Sequence, residues 1–142
     1  MSRPRQPDGR VHGVVVACRR GDGRWLCIRR SATVAAPLKV CFPGGAMEVG
    51  EDQATAAVRE MREELGITIN PLRCVWRWDS PTTELTLWGW IADLPDEPLR
   101  PDPTEVSEVL WLTDAEVGAH PEGLPSNQSF IECLVRELGK TL

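Results

Sequence analysis

Glu60 and Glu64 stand one helical turn apart in the stretch REMREELGI, and Glu63 lies beside them, so a helix through these residues gathers three carboxylates. Like charges at this spacing destabilise an exposed helix by roughly 0.2–0.5 kcal/mol per pair. The negative end of the helix dipole opposes each acid by roughly a further 0.3–1 kcal/mol. A solvated acidic stripe, offset by Arg59 and Arg62, is the ordinary explanation of such a pattern. The preceding stretch PGGAMEVGE points elsewhere, because its glycines let backbone approach a ligand closely and set carbonyl oxygens beside the acids. Hard oxygen donors with no neighbouring His or Cys suit Mg²⁺, with Mn²⁺ as an alternative, completed by waters and phosphate oxygens. His12 and His120 are isolated and read as surface or core residues. A cation held by such acids polarises phosphoryl oxygens and orients them for attack by water.

The elements that must position these acids can be read from the same sequence. Asp52 to Leu65 contains no Gly or Pro; Asp52 is suited to the N-cap and Gly66 to the left-handed position after the last turn. Helical spacing predicts that Ala54, Ala57, Val58, Met61 and Leu65 face a core and that Glu60, Glu63 and Glu64 lie opposite. Residues 11–20 and 24–30 are β-branched or apolar runs around GDG and read as a β-hairpin. A short strand at 38–42 stops at Pro43. Segments 72–79 and 83–92 read as antiparallel neighbours, 93–105 as a proline-rich surface loop and 106–113 as another strand. DAEVGAH reads as a turn of helix, and 126–140 as an amphipathic helix with Phe130, Ile131, Leu134 and Leu138 inward. Strands before, between and after two helices predict an α/β (α+β) domain, a mixed sheet with helices packed on it.

Gly45, five residues, Glu51, seven residues, then REMREELGI fill every position of the Nudix box, G-x5-E-x7-R-E-U-x-E-E-x-G-U with U a bulky apolar residue. At usages of about 7% per fixed residue, a chance match is on the order of one in a million. The chain thus resembles the Nudix hydrolase family. The resemblance implies an α/β/α sandwich around a mixed sheet, with the box as loop–helix–loop, and Mg²⁺-dependent hydrolysis of a nucleoside diphosphate linked to another group. Carried over by position, it implies Glu60, Glu63 and Glu64 as metal ligands with the Gly44 carbonyl as a further one. Gly45, Glu51, Arg59 and Gly66 would shape the box. Family members often add an acid from beyond the box, for which EVSEVLW offers Glu105 and Glu108, with Glu105 preferred at the border of the proline-rich loop. The general base, Glu63, Glu105 or Glu108, would contribute roughly 10²–10⁴ in rate. A nucleotide sensor without catalysis is the competing class, and an acidic protein-interaction domain, which would not need the Gly44-Gly45 loop, is a third.

Composition bounds the partners. With 142 residues, 42% apolar and 26% charged, the chain reads as one domain over 1–142, residues 1–10 being a flexible tail. A net charge of -5 argues against holding a nucleic acid polymer. Five cysteines without metal spacing read as reduced core residues, and no apolar run reaches membrane length, so a cytoplasmic location is expected. Six tryptophans and no tyrosine are unusual, and Trp76, Trp78, Trp88 and Trp90 fall on two adjacent predicted strands. At least one pair is expected to face away from the main core, with Trp76 or Trp88 stacking a nucleobase at roughly 1–3 kcal/mol. Arg29, Arg30 and Lys39 are candidates for phosphate contact. The short CFPGG lead-in is more like small nucleoside-triphosphate pyrophosphatases than ADP-ribose, nucleotide-sugar or dinucleoside polyphosphate enzymes, and related folds often form a homodimer.

Overall fold

The computed structural model describes residues 3–139, so Lys140, read above as part of the closing helix, and the first two residues of the tail lie outside the described residues. Strands β1 (Val11–Ala17), β2 (Trp25–Arg30), β3 (Val40–Cys41) and β4 (Gly44–Ala46) precede helix α1 (Gln53–Leu65). Strands β5 (Asn70–Asp79), β6 (Leu85–Asp93) and β7 (Val106–Leu112) follow, then α2 (Asp114–Ala119) and α3 (Asn127–Gly139). One sheet runs β4-β1-β6-β5, with β1 parallel to β6; the other runs β3-β2-β7 and is antiparallel throughout. This is a mixed α and β fold.

The expected hairpin of β1 and β2 exists only at its turn. Arg19 bridges Trp25, and Arg20 and Arg24 share a backbone hydrogen bond of 2.8 Å. Beyond it the strands part into different sheets. Each is buried along most of its length and takes long-range partners on both edges, β4 and β6 for β1, β3 and β7 for β2. The strand at 44–46, expected as loop, is missed because its pairing residues are Gly-Gly-Ala, the composition of a turn.

Helix α1 starts and stops as its caps dictate. The Asp52 carboxylate accepts the Thr55 N–H at 2.8 Å, and Gly66 adopts φ 66° while its N–H donates to the Arg62 carbonyl. Its orientation departs from expectation. The buried face is Ala56, Ala57, Glu60, Met61, Glu64 and Leu65, with Ala54 and Val58 only half-buried. Glu60 and Glu64 are therefore not on the solvent side. They border the apolar stripe, where β4 and the 94–105 loop cover them.

Two cores lie on opposite faces of the sheets. One gathers Val14, Val16, Leu26 and Ile28 with Met61 and Leu65 of α1; the other gathers Trp25, Phe42 and Trp76 with Phe130, Ile131 and Leu134 of α3. Trp76 and Trp78 pack against the α3 core, Trp88 and Trp90 against the α1 core. The two pairs thus face opposite ways, so one of them does turn from the α1 core, and because the sheet is covered on both faces that pair meets a second core rather than solvent. Cys74 is also a correction, an exposed thiol on β5, whereas Cys18, Cys27, Cys41 and Cys133 are buried; all five are free.

Candidate functional site

A cavity of about 400 Å³ opens between α1, the two sheets and the start of α3. Three acids, Glu60, Glu64 and Glu105, line part of it together with Arg30, and Val15, Leu87, Trp76 and Phe130 supply apolar wall. One carboxylate oxygen from each of the three acids lies within 4.8 Å of the others. Glu60 is 8% exposed and Glu64 4%.

Each acid is placed by a different local device. Glu64 is fixed from β4, its Oε1 accepting the Gly44 N–H at 2.8 Å. Glu60 has room because Gly45 carries no side chain; a Cβ there would overlap its carboxylate. Arg59 holds the remainder of the box. It donates twice to Glu51, from Nε and Nη2 at 2.8 Å each, and Nη2 also reaches the Ala46 carbonyl at 3.0 Å. Its Nη1 meets Glu60 at 2.9 Å and Glu63 at 3.2 Å. The planar guanidinium thereby ties loop, β4 and helix at one point, a geometry that an ammonium cannot match.

Glu105 arrives from the proline-rich loop, which is surface-lying yet latched. The Arg100 and Asp102 N–H groups donate to the Leu65 and Glu64 carbonyls at 2.7 and 2.9 Å, satisfying backbone acceptors left over at the end of α1. Nothing local in DLPDEPLRPDPTE signals that its backbone caps a helix.

The other predicted residues lie elsewhere. Glu63 has a side chain 53% exposed, is bonded to Arg59, and stands outside the three-oxygen cluster. Glu108 pairs with Arg29 at 3.2 Å, and Arg29 also meets Glu122 at 3.0 Å, so these charges answer one another rather than the cavity. Lys39 is exposed on the loop before β3. Trp88 packs on the α1 face, stacked on His12, which accepts its N–H at 3.0 Å. Trp76 does line the cavity, but Phe130 already stacks on its ring at 4.7 Å between centroids. Phe130 itself, read as a core residue, lines the cavity as well.

Burial without full compensation shapes the electrostatics. Loss of water raises the Glu60 carboxyl to about 7, against the opposing pull of Arg59. The same cause raises Glu64 to about 8, against the Gly44 N–H. Glu105 is raised too, by burial first and then by Asp102 and Glu63. Glu51, held by Arg59, is lowered. Three acids that resist ionisation beside one another form a site short of positive charge, and a divalent cation fits that donor set of oxygens alone.

A stability profile follows. An acid whose folded pKa lies above its unfolded 4.5 binds its proton more tightly in the native state, so stability falls as pH rises from 4.5 through 7 and 8. Between pH 5.5 and 8.5 the metal-free protein is expected to lose on the order of 3 kcal/mol from these two groups, or roughly 5–10 °C in Tm. Millimolar Mg²⁺ should restore most of that at pH 8.5 and little at pH 5.5, where protons compete for the same oxygens. Calorimetry across this range decides it; a flat metal-free profile would remove the two carboxylates as its source.

The comparisons agree with the geometry. The chain matches the NUDIX domain over residues 9–134. It is 37% identical over 67 residues to the 8-oxo-dGTP diphosphatase of Escherichia coli K12, covering 46% of this chain and 52% of that protein. It is 32% identical over 122 residues to the uncharacterized Nudix hydrolase orf19 of Rhodococcus erythropolis, covering 76% and 64%. The chain thus spans about half to two-thirds of the length of these curated relatives. The MutT protein of Methanosarcina mazei Go1 shares the fold with a TM-score of 0.79 over 97% of this chain and 99% of that one, at 21% identity.

Proposed function

This chain belongs to the NUDIX family, and from that premise we propose that it is a divalent-cation-dependent pyrophosphohydrolase, cleaving a normal or oxidised nucleoside triphosphate to the monophosphate and pyrophosphate. The observation that carries the reading is the convergence of Glu60, Glu64 and Glu105 within 4.8 Å at a cavity that also has apolar walls. Such a cavity accepts a charged diphosphate beside the acids and a base against the apolar wall that includes Val15 and Leu87.

Glu60 and Glu64 would hold Mg²⁺, and Mn²⁺ would suit the same oxygens. Bound there, the ion supplies Lewis-acid charge and a template for the diphosphate. Arg30 lines the same cavity and offers a cation to phosphate oxygens. Glu63 stands outside the three-oxygen cluster, so Glu105 is the candidate general base, accepting a proton from the water that attacks phosphorus. The similarity to a protein named 8-oxo-dGTP diphosphatase supports the choice of a triphosphate. The reading takes a small nucleotide as the partner, with neither nucleic acid polymer nor membrane, in the cytoplasm. No helix among the described residues is long and apolar enough to cross a membrane.

The deciding experiment measures phosphate and pyrophosphate release, with and without Mg²⁺. The substrates are normal and oxidised nucleoside triphosphates, ADP-ribose, nucleotide sugars and dinucleoside polyphosphates. Pyrophosphate release from a triphosphate, dependent on the metal, is expected. Release confined to another substrate would reassign the base site, and tight nucleotide binding without release from any would make the protein a sensor.

A further inference from the structure

Glu105 lies at the end of a loop, yet its carboxylate meets two acids on α1, so its backbone has to be held in place. Ser31 directly follows β2 and is 5% exposed. Its N–H donates to the Glu105 carbonyl at 2.9 Å and its hydroxyl to the Thr104 carbonyl at 2.8 Å. The Thr33 hydroxyl stands 3.2 Å from the Ser31 oxygen and 3.4 Å from the same Thr104 carbonyl. On the opposite side the Glu105 N–H returns to the Asp102 carbonyl at 3.0 Å, and Asp102 Oδ1 accepts the Thr104 N–H and hydroxyl at 2.9 and 2.8 Å. Asp102 is itself bonded to the Glu64 carbonyl. Both peptide groups flanking Glu105 are thus tied on both sides, their carbonyls accepting from Ser31 and their N–H groups, those of Glu105 and Val106, donating to the Asp102 carbonyl. Within this clamp the Ser31 hydroxyl is the side-chain donor with the shorter bond to Thr104. The β2–β7 register also slips between Arg29 and Arg30, a bulge that lets Ser31 meet the residues just before β7 rather than a strand partner.

We propose that Ser31 is a positioning residue of the active site, its hydroxyl holding the Thr104–Glu105 segment so that the Glu105 carboxylate reaches Glu60 and Glu64. The proposal rests on Glu105 acting as general base, as set out under the proposed function, beside the cation that Glu60 and Glu64 would hold. Its carboxylate, within 4.8 Å of theirs, also attracts that ion. Removal of the hydroxyl leaves the Thr104 carbonyl to the longer Thr33 contact and frees the loop to shift. Displacement of a catalytic group by about 1 Å is enough for large losses in rate.

The test is a double-mutant cycle read by Mn²⁺ affinity from titration calorimetry and by steady-state kinetics. Ser31→Ala is expected to weaken Mn²⁺ binding at least about threefold and lower kcat roughly five- to twentyfold, with KM within about twofold. Ser31→Thr, which keeps the hydroxyl, should recover most of both. In a Glu105→Ala background the Ser31→Ala change should alter neither quantity by more than about twofold, because the group it positions is gone. Equal losses in both backgrounds would overturn the proposal and leave Glu105 in its role. Unchanged metal affinity and turnover in Glu105→Ala alone would overturn the role of Glu105, and the proposal with it. Should Ser31→Ala fail to fold, Thr33→Ala supplies the cycle, with a smaller loss expected in the same direction and additivity again the overturning result.

Discussion

Glu64→Gln is expected to lower kcat by at least about two orders of magnitude while raising the melting temperature of the metal-free protein at pH 8. The two effects have one cause. The carboxylate is buried and is pushed up to about 8, with the Gly44 N–H and, more weakly, the Arg30 charge opposing that rise. A carboxamide keeps the shape and can accept that same N–H, so the fold loses nothing. It removes a charge that the native state holds at a disadvantage, and with it a hard, anionic donor that a divalent cation requires. Glu63→Gln should behave differently, because Glu63 is exposed and bonded to Arg59; a loss of roughly tenfold in kcat, with Tm little changed, is expected. Steady-state kinetics at saturating Mg²⁺ alongside thermal melts in a chelator check both. Full turnover in Glu64→Gln would remove the acid from the reaction, and a lower Tm would show that its burial is compensated.

Arg59→Met carries the largest expected effect on stability, a loss of about 3–5 kcal/mol. The long apolar side chain can fill much of the same volume, so the deficit arises from what is left behind. Glu51 and Glu60, both with little side-chain exposure, lose the guanidinium that meets them at 2.8 and 2.9 Å, and the Ala46 carbonyl loses a donor. Arg59→Lys should recover only part of this, since one ammonium cannot serve Glu51 twice while also reaching Ala46 and Glu60. Urea unfolding with an unchanged m-value gives the comparison. A Met variant within about 1 kcal/mol of the parent would show that the charges find water instead.

The helix that bears the acids was legible because caps are local, Asp52 and Gly66 being read from residue type alone. Glu60 and Glu64 were legible as ligands but not as buried. Their cover comes from β4 and from the loop after β6, which helical spacing cannot see. Glu105 could be picked from the sequence only as an acid beyond the box. The latch through Arg100 and Asp102 uses backbone groups that every residue carries, so no side-chain pattern announces it. The parting of β1 and β2 was hidden for a similar reason. A turn determines where two strands meet, whereas their partners are chosen by burial on faces and edges that form far away in sequence. Trp76 and Trp88 share a strand-like context, yet one lines the cavity and the other stacks on His12. The β5–β6 register sets Trp76 across from Gly89 and Trp88 across from Arg77, which puts the two tryptophans on opposite faces.

The latch between the 94–105 loop and the end of α1 also bears on the order of assembly. Strands β5 and β6 lie between Glu64 and Glu105 in the chain, and β7 has to find β2 before the loop is drawn taut. Closing so long a segment is paid in entropy before any contact rewards it. A chain still emerging from the ribosome can shape the box and its helix with two acids in reach of one another. The third can join only once β7 has paired with β2, so the mutual repulsion of the three requires that long-range pairing to be in place. Interactions that form after the folding barrier is crossed act on the rate at which the finished protein opens, with little effect on how fast it folds.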